Sequence, residues 1–104
     1  MNRNKVLSLL GIAQRGRNIV SGEFATEKAI KEGTAKLVIV AGDASDNTKK
    51  HFHDMCAYRE LPIIELENKD DVGHAIGKQM RASLALTDEG IASAIMKLVN
   101  ESAN

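Results

Sequence analysis

The stretch Lys36-Leu37-Val38-Ile39-Val40-Ala41 constrains the fold more than any other part of the chain. From Leu37 to Ala41 it has no polar side chain and no polar–apolar alternation, and its centre is β-branched. Such a run reads as a strand covered on both faces, and helices supply those covers. The rest of the chain contains them. Val6, Leu7, Leu10 and Ala13 recur at helical spacing in a first helix, capped by Asn2 or Asn4 and running to about Gln14. Ser45 caps a third helix with Thr48, Phe52, Met55 and Cys56 on one face. Asn68 caps a short fourth helix with Val72, Ala75 and Ile76 inward and Gly77 at its end. Asp88 caps the last, with Ile91, Ala94, Ile95, Leu98 and Val99 on its buried face, and Asn100 to Asn104 form a fraying tail. Shorter runs, Asn18 to Val20, Ile63 to Leu66 after Pro62, and Leu84 to Thr87, read as further strands, with a loop from Gln79 to Ser83. Strands alternating with helices imply one sheet with helices on both sides. Leu37, Ile39, Ile63 and Leu86 are the expected buried strand residues, within a single domain spanning 1–104.

The second helix reads SGEFATEKAIKEG, Ser21 to Gly33. Ser21 is the expected N-cap, Glu23 places negative charge near the positive end of the helix dipole, and Gly33 is the expected left-handed closing residue. At about 100° per residue, Ala25, Thr26, Ala29 and Ile30 form a small core-facing stripe. Phe24 falls on the opposite side, with Lys28 and Lys31 as its i+4 and i+7 neighbours. An aromatic ring between cations on an outward face suits nucleic acid, because the ring stacks on a base and the cations hold phosphate. The same pattern also suits a phenylalanine packed under a neighbouring loop beside ordinary solvated lysines.

Charge supports one basic face rather than a basic protein. The chain is formally neutral. Residues 1–36 carry seven Lys or Arg against three Glu, and residues 37–104 carry seven against eleven Asp or Glu. The turn Arg15-Gly16-Arg17 adds two cations to the basic part. The apolar start of the chain is short and interrupted, fitting an amphipathic helix rather than a signal peptide. No apolar run is long enough for a membrane span. The lone Cys56 excludes an internal disulfide and suits a reducing cytoplasm.

Catalytic and metal signals are weak. No glycine-rich loop with a lysine is present, and the segment after Val40 reads AGDASDN, without dinucleotide-binding spacing. Asp70-Asp71 and Asp88-Glu89 sit where helix first turns favour acid. His51 and His53 project to nearly opposite sides of one helix and cannot share a metal; His53 and Cys56 at i, i+3 could, but two ligands without others nearby are weak evidence, and Cys56 faces the core. The chain therefore reads as a non-enzyme with no metal and no cofactor.

Five segments carry a family resemblance in register: IVSGEFATEKAIKEG, KLVIVAGDASDNTKK, the cysteine with YRELPII, DVGHAIGK and LALTDEG. Together they resemble the ribosomal-protein L-seven-Ae/L-thirty-e family of kink-turn RNA binders, in particular its small bacterial ribosomal-protein-like members. The resemblance spans almost the whole chain. It implies a three-layer α/β/α sandwich with a four-stranded mixed sheet. It also implies an RNA site at the start of the second helix, flanked by two loops. In kink-turn binders that helix start reads Gly, a spacer, Asn, Glu, two spacers, then Lys. Gly22 and Lys28 match, while Phe24 and Ala25 stand where Asn and Glu would make polar contacts to bases. The family's second contact region corresponds to Met80, Arg81 and Ala82.

The expected function is a cytoplasmic, non-catalytic RNA-binding protein, ribosome-associated and monomeric when free, acting on structured RNA, with kink-turn RNA as one candidate. Arg15, Arg17, Lys28 and Lys31 would contact phosphate, with the amides of Gly22 and Glu23 beside Ser21 available to another. Phe24 would stack, and Met80 to Ala82 would pack on an extruded nucleotide. The alternative is a protein-interaction module in which Phe24 is an interface anchor and the acidic later part of the chain meets a basic partner.

Overall fold

The structure, a computed structural model, describes residues 3–101. Nine elements alternate along them: α1 Arg3–Arg15, β1 Ile19–Ser21, α2 Glu23–Glu32, β2 Leu37–Ala41, α3 Asp46–Tyr58, β3 Ile63–Leu66, α4 Lys69–Ala75, β4 Ser83–Leu86 and α5 Glu89–Glu101. The strands form one sheet in the order β1-β4-β2-β3. β2 runs parallel to β3 and antiparallel to β4, which is antiparallel to β1, so the sheet is mixed.

β2 is buried along its whole length, as its composition requires. Its pleat sends alternate side chains to opposite faces. Leu37, Ile39 and Ala41 join Val6, Leu10 and Ala13 of α1, Val72 of α4 and Ile95 of α5 in one core. Val38 and Val40 join Ala29 and Ile30 of α2 and Phe52 and Cys56 of α3 in the other. Helices α1, α4 and α5 thus cover one face and α2 and α3 the other, the three-layer α/β/α arrangement. Leu37, Ile39 and Leu86 are fully buried. Ile63 is only half-buried because β3 is an edge strand.

Three helices begin as their side chains dictate. Ser45 Oγ accepts from the Thr48 amide at 3.1 Å, Asn68 Oδ1 from Asp71 at 2.8 Å, and Asp88 Oδ2 from Ile91 at 2.8 Å. Gly33 closes α2 in the left-handed region at φ 78°, where a side chain would be strained.

Several boundaries differ from the sequence-based expectation. Ser21 does not cap α2. It is the last residue of β1, paired with Leu84, and Gly22 takes the cap position. Asn4 lies inside α1, and Asn2 lies outside the described residues. β4 starts at Ser83 rather than Leu84 and ends before Thr87, whose amide donates to the Asn18 carbonyl at 2.9 Å. α5 continues through Asn100 to Glu101, so only residues 102–104 of the expected tail fall outside the described part.

Candidate functional site

The sharp passage from β1 into α2 depends on Gly22. Its backbone stands at φ 93° and ψ 160°, a conformation that a residue with a Cβ rarely adopts. Its amide donates to the Ser83 carbonyl at 2.9 Å, tying the helix start to the first residue of β4, so this amide is not available to a phosphate as the sequence suggests. Among the described residues, no side chain caps α2. The first turn of α2 thus lacks a side-chain acceptor for its amides, and the carboxylate of Glu23 in the same turn opposes an anion there.

Phe24 stands next to this turn and is 80 % exposed. A ring left in water gains almost nothing from burial on folding, so the core does not explain its placement. Thr26, Ala29 and Ile30 are buried on the opposite stripe, with Ala25 partly covered. Phe24 and Lys28 together border two shallow grooves. One continues to Glu27, Lys31 and Glu32, and the other to Val20, Ala25, Ala29 and Thr34. Both lysines are exposed.

The loop before β4 packs against the same helix start. Ser21 Oγ accepts a hydrogen bond from Arg81 Nε at 3.1 Å. Arg81 Nη1 donates to the Met80 carbonyl at 3.0 Å, and the Arg81 amide donates to the Lys69 carbonyl at 3.1 Å. Met80 is 58 % exposed, whereas Ala82 is half-buried and its carbonyl accepts from the Ala41 amide at 2.8 Å. Beneath the loop, Gly73 of α4 leaves room for its backbone, since a Cβ there would stand 1.9 Å from the Gln79 carbonyl oxygen. α4 is itself anchored, with the Lys69 amide donating to Asp43 Oδ1 at 2.8 Å and Arg3 paired to Glu67 at 2.8 Å and Asp71 at 3.4 Å.

The expected site residues thus divide. Ser21, Gly22, Glu23, Phe24, Lys28 and Lys31 follow one another along β1 and α2, and Met80, Arg81 and Ala82 join them through the Ser21–Arg81 contact. Arg15 and Arg17 do not join the group. They precede β1 at its opposite end, where Asn18 meets Thr87, about 10 Å along a three-residue strand. Arg15 instead lines a depression on α1 with Leu7, Ser8, Ile12 and Ala75.

Other features become visible only in three dimensions. His51 and His53 diverge, each to its own glutamate: His51 Nε2 lies 2.5 Å from Glu27 Oε1 and His53 Nε2 3.1 Å from Glu65 Oε2. The His53 contact, and then Lys49, hold the Glu65 carboxyl below the usual carboxylate range. Glu23, Glu27 and His51 bring one potential ligand atom each within 4.8 Å of one another, a juxtaposition of α2 with α3 that no sequence spacing shows. Cys56 is fully buried, and burial pushes its thiol up to about 11, opposed by the nearby Arg59. That thiol is a poor nucleophile. Tyr58, 84 % exposed with Arg59 5.3 Å from its ring centre, is a second outward aromatic that sequence patterning does not single out.

Fold and surface together define a small α/β/α domain with an aromatic and cationic face at the start of its second helix. The family model for the ribosomal protein L7Ae/L30e/S12e/Gadd45 family matches residues 4–96, and the chain belongs to that family. It is 41% identical over 92 residues to the RNA-binding protein YlxQ of Bacillus subtilis (strain 168), covering 88% of this chain and 92% of that one. It is 38% identical over 98 residues to the RNA-binding protein YlxQ of Enterococcus faecium, covering 94% of each. A structure from Bacillus halodurans C, of a protein with unknown function, superposes with a TM-score of 0.89 at 36% identity, covering 92% of this chain and 97% of that one. The Giardia lamblia 15.5kD RNA binding protein shares the fold, with a TM-score of 0.79 at 20% identity over 94% of this chain and 84% of that one. Among the described residues, no helix is long and apolar enough to cross a membrane.

Proposed function

We propose that this protein is a non-catalytic binder of structured RNA that uses the start of α2 and the loop before β4. The observation that carries this reading is Phe24, held 80 % exposed beside Lys28 at a helix start with no side-chain cap. The ring would stack on an unpaired base. Lys28 and Lys31 would hold phosphate, and the first-turn amides of α2 would receive another. Met80 would pack on an extruded nucleotide. Arg15 and Arg17, at the other end of β1, would reach a separate stretch of backbone. The RNA-binding names of the two YlxQ relatives support the same class of ligand.

The ligand is ribosomal or another structured RNA met in the cytoplasm, bound by a protein that is monomeric when free. Phe24 and Ala25 cannot make the polar base contacts that Asn and Glu would make, so recognition leans on stacking and backbone rather than on a strict kink-turn code. Phe24→Asn should then raise the preference for kink-turn RNA over plain duplex.

The test is a salt titration of RNA affinity for the parent, Lys28→Ala and Phe24→Ala proteins. Each substitution should cost about 1–3 kcal/mol. Lys28→Ala should also flatten the salt slope by about one phosphate contact. If both variants bind like the parent, the site is misplaced. A parent with no RNA affinity favours the protein-interaction reading, with Phe24 as its anchor.

A further inference from the structure

We infer that Arg81 is a positioning residue, clasping Ser21 so that the loop before β4 and the start of α2 form one rigid surface before any RNA arrives. The inference rests on the RNA-binding reading and assigns Arg81 a role other than the phosphate contact its charge suggests.

Arg81 is half-buried, and Nε, Nη1 and the backbone amide all have partners within the protein. Nε meets Ser21 Oγ at 3.1 Å, Nη1 meets the Met80 carbonyl at 3.0 Å, and the backbone amide meets the Lys69 carbonyl at 3.1 Å. These contacts reach β1, the loop itself and α4. The Ser21 contact spans 60 positions of sequence and joins the two halves of the proposed face. A planar guanidinium can serve Ser21 and Met80 at once, whereas an ammonium is a single point on a flexible stem. The loop is seated from below as well, because α4 approaches so closely at Gly73 that a Cβ would lie 3.2 Å from Met80 Cα. Met80 is thereby presented outward from a backbone pinned on both sides. Without the clasp, the loop samples other arrangements, and apparent affinity falls by the fraction of time the competent one is occupied.

The experiment compares Arg81→Lys, Arg81→Ala, Ser21→Ala and the Ser21→Ala/Arg81→Lys double variant, with one structured RNA over a range of salt. Arg81→Lys keeps the charge and loses the fork. It should weaken binding about three- to tenfold, as should Ser21→Ala. The double variant should be no weaker than either single one, because both remove the same contact. The salt slope should stay at the parent value in all four, since no phosphate contact is lost. Hydrogen exchange on the free protein supplies the second readout. Amides of residues 77–82 should exchange faster in Ser21→Ala, with little change in the melting temperature. Arg81→Lys binding like the parent, with Arg81→Ala lowering the slope by about one phosphate, overturns the inference in favour of direct contact. Unchanged loop exchange in Ser21→Ala also overturns it. Loss of RNA binding by the parent, or neutrality of both Lys28→Ala and Phe24→Ala, is failure of the functional reading instead, and the exchange data still decide the clasp.

Discussion

Gly73→Ala isolates the contact between α4 and the loop before β4. In most helices this change is favourable by about 0.5–1 kcal/mol, because alanine loses less backbone freedom on folding. Here the environment reverses the sign. Gly73 is buried, and a Cβ would lie 1.9 Å from the Gln79 carbonyl oxygen and 2.6 Å from its carbonyl carbon. Ordinary contact begins at 3.4 Å, so the loop backbone has to retreat by about 1.5 Å. Gln79 cannot yield by a side-chain rotation, since the obstructing atoms belong to its main chain. The retreat stretches the Lys78 amide bond to the Gly73 carbonyl, 2.9 Å, and the Arg81 amide bond to the Lys69 carbonyl, 3.1 Å. Overpacking costs about 1–3 kcal/mol, and each weakened hydrogen bond adds about 1 kcal/mol. After the helix gain is deducted, the expected destabilisation is about 2–4 kcal/mol, or a melting temperature lower by about 10–25 °C for a domain of this size. Urea unfolding followed by circular dichroism measures the first figure and a thermal scan the second. Gly33→Ala is the control, since among the described residues no atom lies within 4 Å of its Cβ position and only the left-handed backbone is penalised, by about 1 kcal/mol. A Gly73→Ala protein within about 0.5 kcal/mol of the parent would show that the close approach does not constrain the loop.

Three further outcomes follow from local contacts. With its thiol pushed up to about 11 by burial, Cys56 favours the folded state while neutral. Stability should therefore decline as pH rises above the ordinary thiol value of 9.0, a decline absent in Cys56→Ala, and native protein at pH 8 should label only as it unfolds. Rapid stoichiometric alkylation of the native protein contradicts this. Glu65 is held low by His53 and Lys49, so its contribution is present above the unfolded carboxylate value of 4.5 and disappears as pH falls through the lower folded value. Glu65→Gln should accordingly flatten the acid limb of a stability–pH curve, and an unchanged limb refutes the linkage. Ser45→Ala should cost about 1 kcal/mol in urea unfolding by uncapping α3, and no loss would mean that the bond to the Thr48 amide carries no net stability.

Features that depend on neighbours along the chain were legible before any fold was known. The unbroken apolar run at Leu37–Ala41 required a strand covered on both faces, and the pleat then assigned its odd and even residues to two different cores. Ser45, Asn68 and Asp88 marked three helix starts because a cap bond closes within three residues. Helical phase alone turned Phe24 outward, since that phase follows from burial of Thr26, Ala29 and Ile30. Features that depend on groups far apart in sequence emerged only once the chain was folded. Ser21 has the chemistry of a cap and of a strand residue alike, and pairing with Leu84 together with the guanidinium of Arg81 chose the strand. The insertion of β4 between β1 and β2 set the loop of Met80 and Arg81 against Gly22 while leaving Arg17 at the far end of β1. The packing of α3 on α2 joined His51 to Glu27 across 24 positions. Caps and helical phase are written into short-range hydrogen bonds and a fixed angular step. Strand order and cross-element contacts are selected instead by the burial of whole faces, and no local stretch of sequence encodes that energy.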